Sequence, residues 1–156
     1  NTDALTQLYN RRYAHQYFEK IRADVPRLDW CIAMLDIDNF KTINDTYGHA
    51  VGDAVLTELA VQLTSMLRQT DLVFRWGGEE FLILLLARNV DIAYNVLDKV
   101  RRRLATSQEI EEHVGLRFTV TLGVSKLDLD AIEQSIESCD QKLYLGKNSG
   151  KNKAVR

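Results

Sequence analysis

The sequence is poor in the residues that interrupt regular structure. Among its 156 residues there are one proline, Pro26, and eight glycines, too few for a Pro/Gly-rich disordered chain, so helices and strands should dominate. Cysteine is nearly absent. Cys31 and Cys139 lie far apart, each in an apolar stretch, which excludes a CxxC redox or zinc motif and a disulfide framework and leaves both as reduced core residues. The three histidines, His15, His49 and His113, share no i, i+4 or finger spacing, so they give no zinc signature. No apolar run reaches the ~18 residues of a membrane span, and no signal peptide opens the chain. The expectation is a cytoplasmic domain with no membrane contact of its own. The abrupt start at Asn1 points to excision from a larger sensor protein, which could itself be membrane-anchored. Both common nucleotide loops, GxxxxGK[ST] and GxGxxG, are missing. An excess of charge of one sign is missing too: 20 Lys and Arg face 22 Asp and Glu, a net of −2, which argues against a basic nucleic-acid-binding surface.

What is present suits one core. At 156 residues with 46% apolar and 27% charged residues, the chain matches a single globular domain spanning 1–156. Tyr13, Ala14, Tyr17, Phe18 and Ile21 recur at helical spacing behind Asn10, an acceptable N-cap. Trp30 to Leu35 is a continuous apolar run of strand length, which reads as a buried central strand. Val55, Leu56, Leu59, Leu63, Met66 and Leu67 mark a helix from near Gly52 to Arg68. Leu72–Trp76 and Phe81–Leu86, separated by Gly77 and Gly78, read as a hairpin. A helix follows over Ala93 to Leu104. Phe118, Val120 and Leu122 alternate with polar residues as in a half-buried strand, with Gly123 as a candidate bulge. Ile132, Ile136, Cys139 and Leu143 form a last helical face before a basic tail from Gly146 to Lys153. The order is helix, strand, helix, hairpin, helix, strand, helix, an α/β (α+β) domain with a mixed sheet.

Chemistry is expected where an apolar pattern stops. The central strand ends in Asp36-Ile37-Asp38-Asn39-Phe40-Lys41. Asp36 and Asp38 would share one face of an extended chain, and the Ile37 carbonyl could supply a third oxygen, a donor set suited to Mg²⁺. The hairpin turn, Gly77-Gly78-Glu79-Glu80, places two acids beside two glycines that let a ligand approach the backbone. Successive strand residues face opposite sides, so at most one of these glutamates should point into a shared site. Taken singly, turn and capping rules explain each segment. If the two segments are neighbours, carboxylates from two strand ends can hold the Mg²⁺ of a nucleoside triphosphate.

The run Arg75-Trp76-Gly77-Gly78-Glu79-Glu80-Phe81 resembles the signature of GGDEF-domain diguanylate cyclases, in the variant with glutamate at the third position. Asp3 to Arg12 resembles the family's opening motif. Asp36 to Lys41, with Asn44-Asp45 and Gly48-His49 through Gly52-Asp53, is similar to its metal and guanine segment, and Leu143-Tyr144 with Lys147, Gly150, Lys151 and Asn152 to its closing motif. The resemblance covers essentially the whole chain. It implies a nucleotidyl-cyclase or polymerase-palm-like fold, with a mainly antiparallel sheet of about five strands flanked by helices. It also implies condensation of two GTP into cyclic di-GMP and two pyrophosphates, by attack of each 3′-hydroxyl on an α-phosphate.

By the same resemblance, Asp36, the Ile37 carbonyl and Glu79 would hold Mg²⁺, with Mn²⁺ as a substitute, and Glu79 would accept the proton of the 3′-hydroxyl. Asn44 and Asp53 would read guanine. Lys41, Lys147 and Lys151 would meet phosphate, with Lys41 best placed to stabilise the transfer; Lys151 stands where the family more often has arginine. Phe40, His49, Gly77, Gly78 and Glu80 complete the substrate-binding set. The bland alternatives are caps at Asn44 and Asp53, a cap or packing role for His49, and a solvated tail for the lysines. Cyclic di-GMP is two-fold symmetric and one half-site holds one GTP, so a homodimer is implied. Arg68-Gln69-Thr70-Asp71 resembles the family's inhibitory RxxD motif, completed by Lys99 or Arg101; a helix-end salt bridge is the alternative. The competing readings are a catalytically silent cyclic di-GMP receptor or dimerisation module, and a cyclase making another dinucleotide.

The near-neutral total hides segregation. Residues 36–53 contain four aspartates and one lysine, whereas residues 141–156 contain five basic residues and no acid. The first segment can hold a cation and read guanine; the second can meet phosphate.

Overall fold

The apolar run at residues 30–35 becomes the middle of a sheet. The computed structural model describes residues 1–156. In chain order the elements are β1 (Tyr9–Asn10), α1 (Arg11–Ala23), β2 (Trp30–Ile37), α2 (Phe40–Tyr47), α3 (His49–Met66), β3 (Leu72–Arg75), β4 (Glu80–Leu86), α4 (Val90–Ala105), α5 (Gln108–Val114), β5 (Val120–Lys126), α6 (Ile132–Asn148) and β6 (Ala154–Val155). The strands form one sheet in the order β1-β3-β4-β2-β5-β6. Its four central strands pair antiparallel, and the two-residue edges, β1 on β3 and β6 on β5, pair parallel. The mainly antiparallel sheet flanked by helices is therefore found, with six strands rather than about five. No helix is long and apolar enough to cross a membrane.

Strand alternation divides the core in two. Cys31, Ala33, Leu35 and Ile37 of β2 face α3, α4 and α5, whereas Trp30, Ile32 and Met34 face α1 and α6. Because both faces are covered, β2 reads as an unbroken apolar run. Large side chains fully buried here, such as Phe18, Ile32, Leu59 and Phe81, each contribute roughly 1.5–3 kcal/mol of transfer free energy. Asn10 caps α1, its side chain accepting from the Tyr13 N–H at 2.9 Å.

Three boundaries depart from expectation. The long helix starts at His49 rather than near Gly52, because Gly48, at φ +93°, turns the chain sharply between α2 and α3. The helices α2 and α5 are short and were not anticipated; α2 holds a single buried side chain, Ile43, and α5 one, Ile110, too few for a readable stripe. The basic tail is in part helix, since α6 runs on to Asn148. Gly123 is no bulge. It pairs in register with Met34 and Val155, and a Cβ there would lie 2.1 Å from the Cys139 carbonyl and 2.7 Å from the Leu143 nitrogen. Glycine at 123 is what lets α6 lie against β5 and β2.

Candidate functional site

Two strand ends meet as expected. β2 and β4 pair antiparallel with Asp36 opposite Glu80, and the Ile37 N–H donates to the Glu79 carbonyl at 3.4 Å. The Trp76 and Gly77 N–H groups both donate to the Glu80 carbonyl, at 2.9 and 3.2 Å, which closes the turn. A cavity of about 490 Å³ opens at this edge, with Asp36, Glu79 and Glu80 on its floor. The helices α2 and α3 add Phe40, Lys41, Asn44, His49 and Asp53.

The expectation that only one glutamate would reach the site is corrected. Glu79 lies in the loop before β4 begins, so strand alternation does not separate it from Glu80, and both line the cavity. The two glycines differ. Gly78 is exposed, lines the cavity and has open space where a Cβ would stand. Gly77 does not line it; a Cβ there would come within 2.8 Å of Glu80 Oε1. Gly77 thus makes room for a neighbouring carboxylate.

Asp36 and Asp38 share one face, both reaching Lys147 Nζ, at 3.8 and 2.7 Å. Their chemistry diverges. For Asp38, burial would raise the pKa, but hydrogen bonds from Lys147, Thr121 and Thr119 and from the Asn152 backbone N–H outweigh it and hold the carboxylate below its ordinary range. Asp36 is pushed up to about 7, first by burial and then by Glu79, Glu80 and Asp38, with Lys147 opposing. Its Oδ1 is buried without a hydrogen-bond partner. Glu80 is also raised, by burial, Asp140 and Glu79 against the pull of Arg11. The orphaned carboxylate oxygen, the two glutamates of the same cavity and the Ile37 carbonyl offer only oxygen donors, the chemistry that a hard divalent cation favours.

Asn44 and Asp53 are not caps. Asn44 lies within α2 and Asp53 within α3, whose N-cap is Gly48. The Asn44 amide lies against Gly52: a Cβ at 52 would sit 1.8 Å from Asn44 Oδ1. The closing lysines stand beside the cavity and do not line it. Lys147 is held by Asp38 and donates to the Ile37 carbonyl at 3.3 Å, and Lys151, at φ +60°, donates to Asn39 Oδ1 at 2.7 Å. They are therefore ordered parts of the β2 end rather than a loose tail. Arg75, which lines the cavity, was not singled out by sequence. It donates to the Gly77 and Gly78 carbonyls at 3.2 and 2.8 Å and pairs with Asp3 at 3.0 Å, tying the turn to the N-terminal segment. Its position next to the turn was the available signal.

Arg68 and Asp71 form a separate corner between α3 and β3. Asp71 has a fully buried side chain that accepts from the Arg68 backbone N–H, Nε and Nη2 and from the Leu86 N–H. The Arg68 side chain is 59% exposed and also donates to the Leu86 carbonyl at 2.7 Å. The salt bridge read as the alternative is thus present, and the Asp71 oxygens are already occupied by protein donors. Grooves of about 420 and 300 Å³ flank the pair, and neither includes a residue of the strand-end cavity. Lys99 lines the smaller groove with Arg103; Arg101 instead binds Asp98 and Asn152.

Fold and site together define an α/β domain with a cluster of carboxylates lining a polar pocket. The family described as diguanylate cyclase, GGDEF domain, matches residues 1–153, and the chain belongs to it. It is 38% identical over 156 residues to diguanylate cyclase DgcM of Escherichia coli (strain K12), covering 98% of this chain and 37% of that protein. It is 36% identical to the response regulator PleD of Caulobacter vibrioides, covering 99% and 35%. The chain thus spans just over a third of these two relatives. Among solved structures, the active GGEEF domain of a diguanylate cyclase from Vibrio cholerae superposes with a TM-score of 0.84 at 35% identity, covering 96% of this chain and 97% of that one. The GGDEF domain of DgcB from Caulobacter crescentus, solved in complex with c-di-GMP, gives a TM-score of 0.85 at 27% identity.

Proposed function

We propose that this domain is a diguanylate cyclase half-site, condensing two GTP into cyclic di-GMP and two pyrophosphates. The observation that carries the reading is the buried, unpartnered Asp36 Oδ1 beside Glu79 in a cavity otherwise lined by groups suited to GTP. Asp36, Glu79 and the Ile37 carbonyl would hold Mg²⁺ or Mn²⁺. When bound, the ion supplies neutralisation of phosphate charge and a lowered pKa for a ligated hydroxyl. Glu79 accepts the proton of the ribose 3′-hydroxyl as it attacks the α-phosphate. Lys41 stabilises the charge that grows on the transferring phosphate. The Asp53 carboxylate accepts from guanine N1–H and N2–H, a donor pair adenine lacks, and Asn44, seated on Gly52, is the second reader. Glu80 shapes the turn around Gly77. Lys147 supports the site through the Ile37 carbonyl and the Asp36–Asp38 pair, and Lys151 reaches phosphate by releasing Asn39.

One cavity of this size suits one nucleotide, so joining two 3′-hydroxyls to two α-phosphates needs two chains face to face. Activity per chain should rise with protein concentration; a rate per chain that stays flat on dilution to monomer removes the dimer requirement. Arg68, presented by Asp71, is the anchor for product inhibition, reading the guanine O6/N7 edge or a phosphate, with Lys99 as the added cation. Arg68→Ala should raise the cyclic di-GMP concentration for half inhibition at least tenfold, and unchanged inhibition would reject this role. Incubation with GTP and Mg²⁺, with products resolved chromatographically, tests the main reading. Cyclic di-GMP as product supports it; intact GTP together with tight cyclic di-GMP binding would replace it with the receptor reading.

A further inference from the structure

Beyond Asp53 on α3, a second group of ligating side chains lies outside everything described above. Glu58 is 8% exposed, a rare position for a carboxylate. Its Oε1 accepts from Gln62 Nε2 at 2.9 Å and lies 3.0 Å from His113 Nδ1 of α5. No hydrogen bond is made to its other oxygen, Oε2. On α5, Glu109 and His113 stand four residues apart and share one helix face. Ligand atoms of Glu58, Glu109 and His113 all lie within 4.8 Å of one another. Two carboxylates facing one imidazole keep a net negative charge even when the ring is protonated. A dication removes it.

Donor chemistry selects the ion. One imidazole nitrogen with carboxylate oxygens suits zinc-class cations, whereas Mg²⁺ and Ca²⁺ favour oxygen alone. Bonds of about 2.0–2.2 Å place tetrahedral donors about 3.3 Å apart; the Nδ1–Oε1 separation is already close to this, and exposed Glu109 can swing in. Gln62 orients Glu58 by donating to the same Oε1 that faces His113, as a partner outside the coordination sphere does. We propose that Glu58, Glu109 and His113 form a site for a zinc-class divalent cation that staples α5 to α3. The ion takes the place of the Nδ1 proton, which leaves to solvent, and water fills the remaining position.

The test is a Zn²⁺ titration of the full chain with Mg²⁺ in large excess, which keeps the carboxylates at the end of β2 engaged. At free Zn²⁺ about a hundredfold above Kd, Tm should rise by about 5–10 °C. Both His113→Ala and Glu109→Gln alter exposed side chains and keep the fold, and each should weaken Zn²⁺ binding at least tenfold by calorimetry. Co²⁺ should give a visible absorption band that His113→Ala abolishes. A wild-type Tm that Zn²⁺ leaves unmoved, or variants that bind it as tightly as wild type, would overturn the site.

Discussion

The cavity at the end of β2 and the corner between α3 and β3 are each built on an aspartate near a cation, half-buried at the first and buried at the second, yet they are finished differently. At the corner, both oxygens of Asp71 are filled by Arg68 and by the Leu86 N–H, and what faces solvent is a guanidinium fixed in one orientation. At the cavity, Asp36 keeps a buried oxygen with no partner and a pKa near 7, while its neighbour Asp38 takes up most of Lys147. A saturated carboxylate serves the fold and presents a cation. An unsaturated one leaves an oxygen open to a partner from outside the chain.

The contrast is best broken by exchanging its outcomes. Asp36→Asn should lower turnover at least about a thousandfold while leaving Tm equal or higher, because it removes a buried charge without a full set of partners; cyclase assays and calorimetry on one preparation check both halves. Asp71→Ala should do the reverse to stability. Losing four hydrogen bonds from a fully buried side chain costs about 3 kcal/mol, seen as a Tm lower by about 6–12 °C. A smaller effect separates the two regions by pH. In EDTA, between the ordinary value of 3.8 and about 7, the folded chain keeps a proton on Asp36 that the unfolded chain has lost. Stability should therefore fall as pH rises across that window, by about 4 kcal/mol for a fully shielded group and by roughly half that for one partly screened by solvent, and the fall should flatten in Asp36→Asn. Asp38 has the opposite sign: its contribution is present above its ordinary range and is lost as pH falls through its lowered value. Smallest is Gly52→Ala, which should displace the Asn44 amide and raise KM for GTP severalfold, with Tm little changed. A KM equal to wild type would free Asn44 from the guanine pocket.

Much of this was legible because apolar patterning is a one-dimensional record of burial. β2, the hairpin strands and the stripes of α1, α4 and α6 follow directly from it, and the carboxylates were found where those patterns stop. The short helices α2 and α5 escaped, since one buried residue each makes no period. The role of Gly123 escaped because a close approach between α6 and β5 is a tertiary fact, and the sequence shows only a small residue in a strand. Arg75 and Glu58 were missed for the same reason: their partners, Asp3 and His113, are distant in sequence. The three histidines show no ligand spacing among themselves; the i, i+4 pair on α5 is Glu109 with His113, a carboxylate and an imidazole.

The position of β2 also governs when the site can exist. Its neighbours are β4 and β5, both later in the chain and neither joined to it by a hairpin, so only β3 with β4 can pair locally. Loops of that span close slowly. A nascent chain that has exposed Asp36 has no Glu79 beside it, and one that has made the hairpin still lacks the Thr119 and Thr121 hydroxyls and the Asn152 N–H that fix Asp38. The carboxylate centre is therefore complete only once the closing segment has docked.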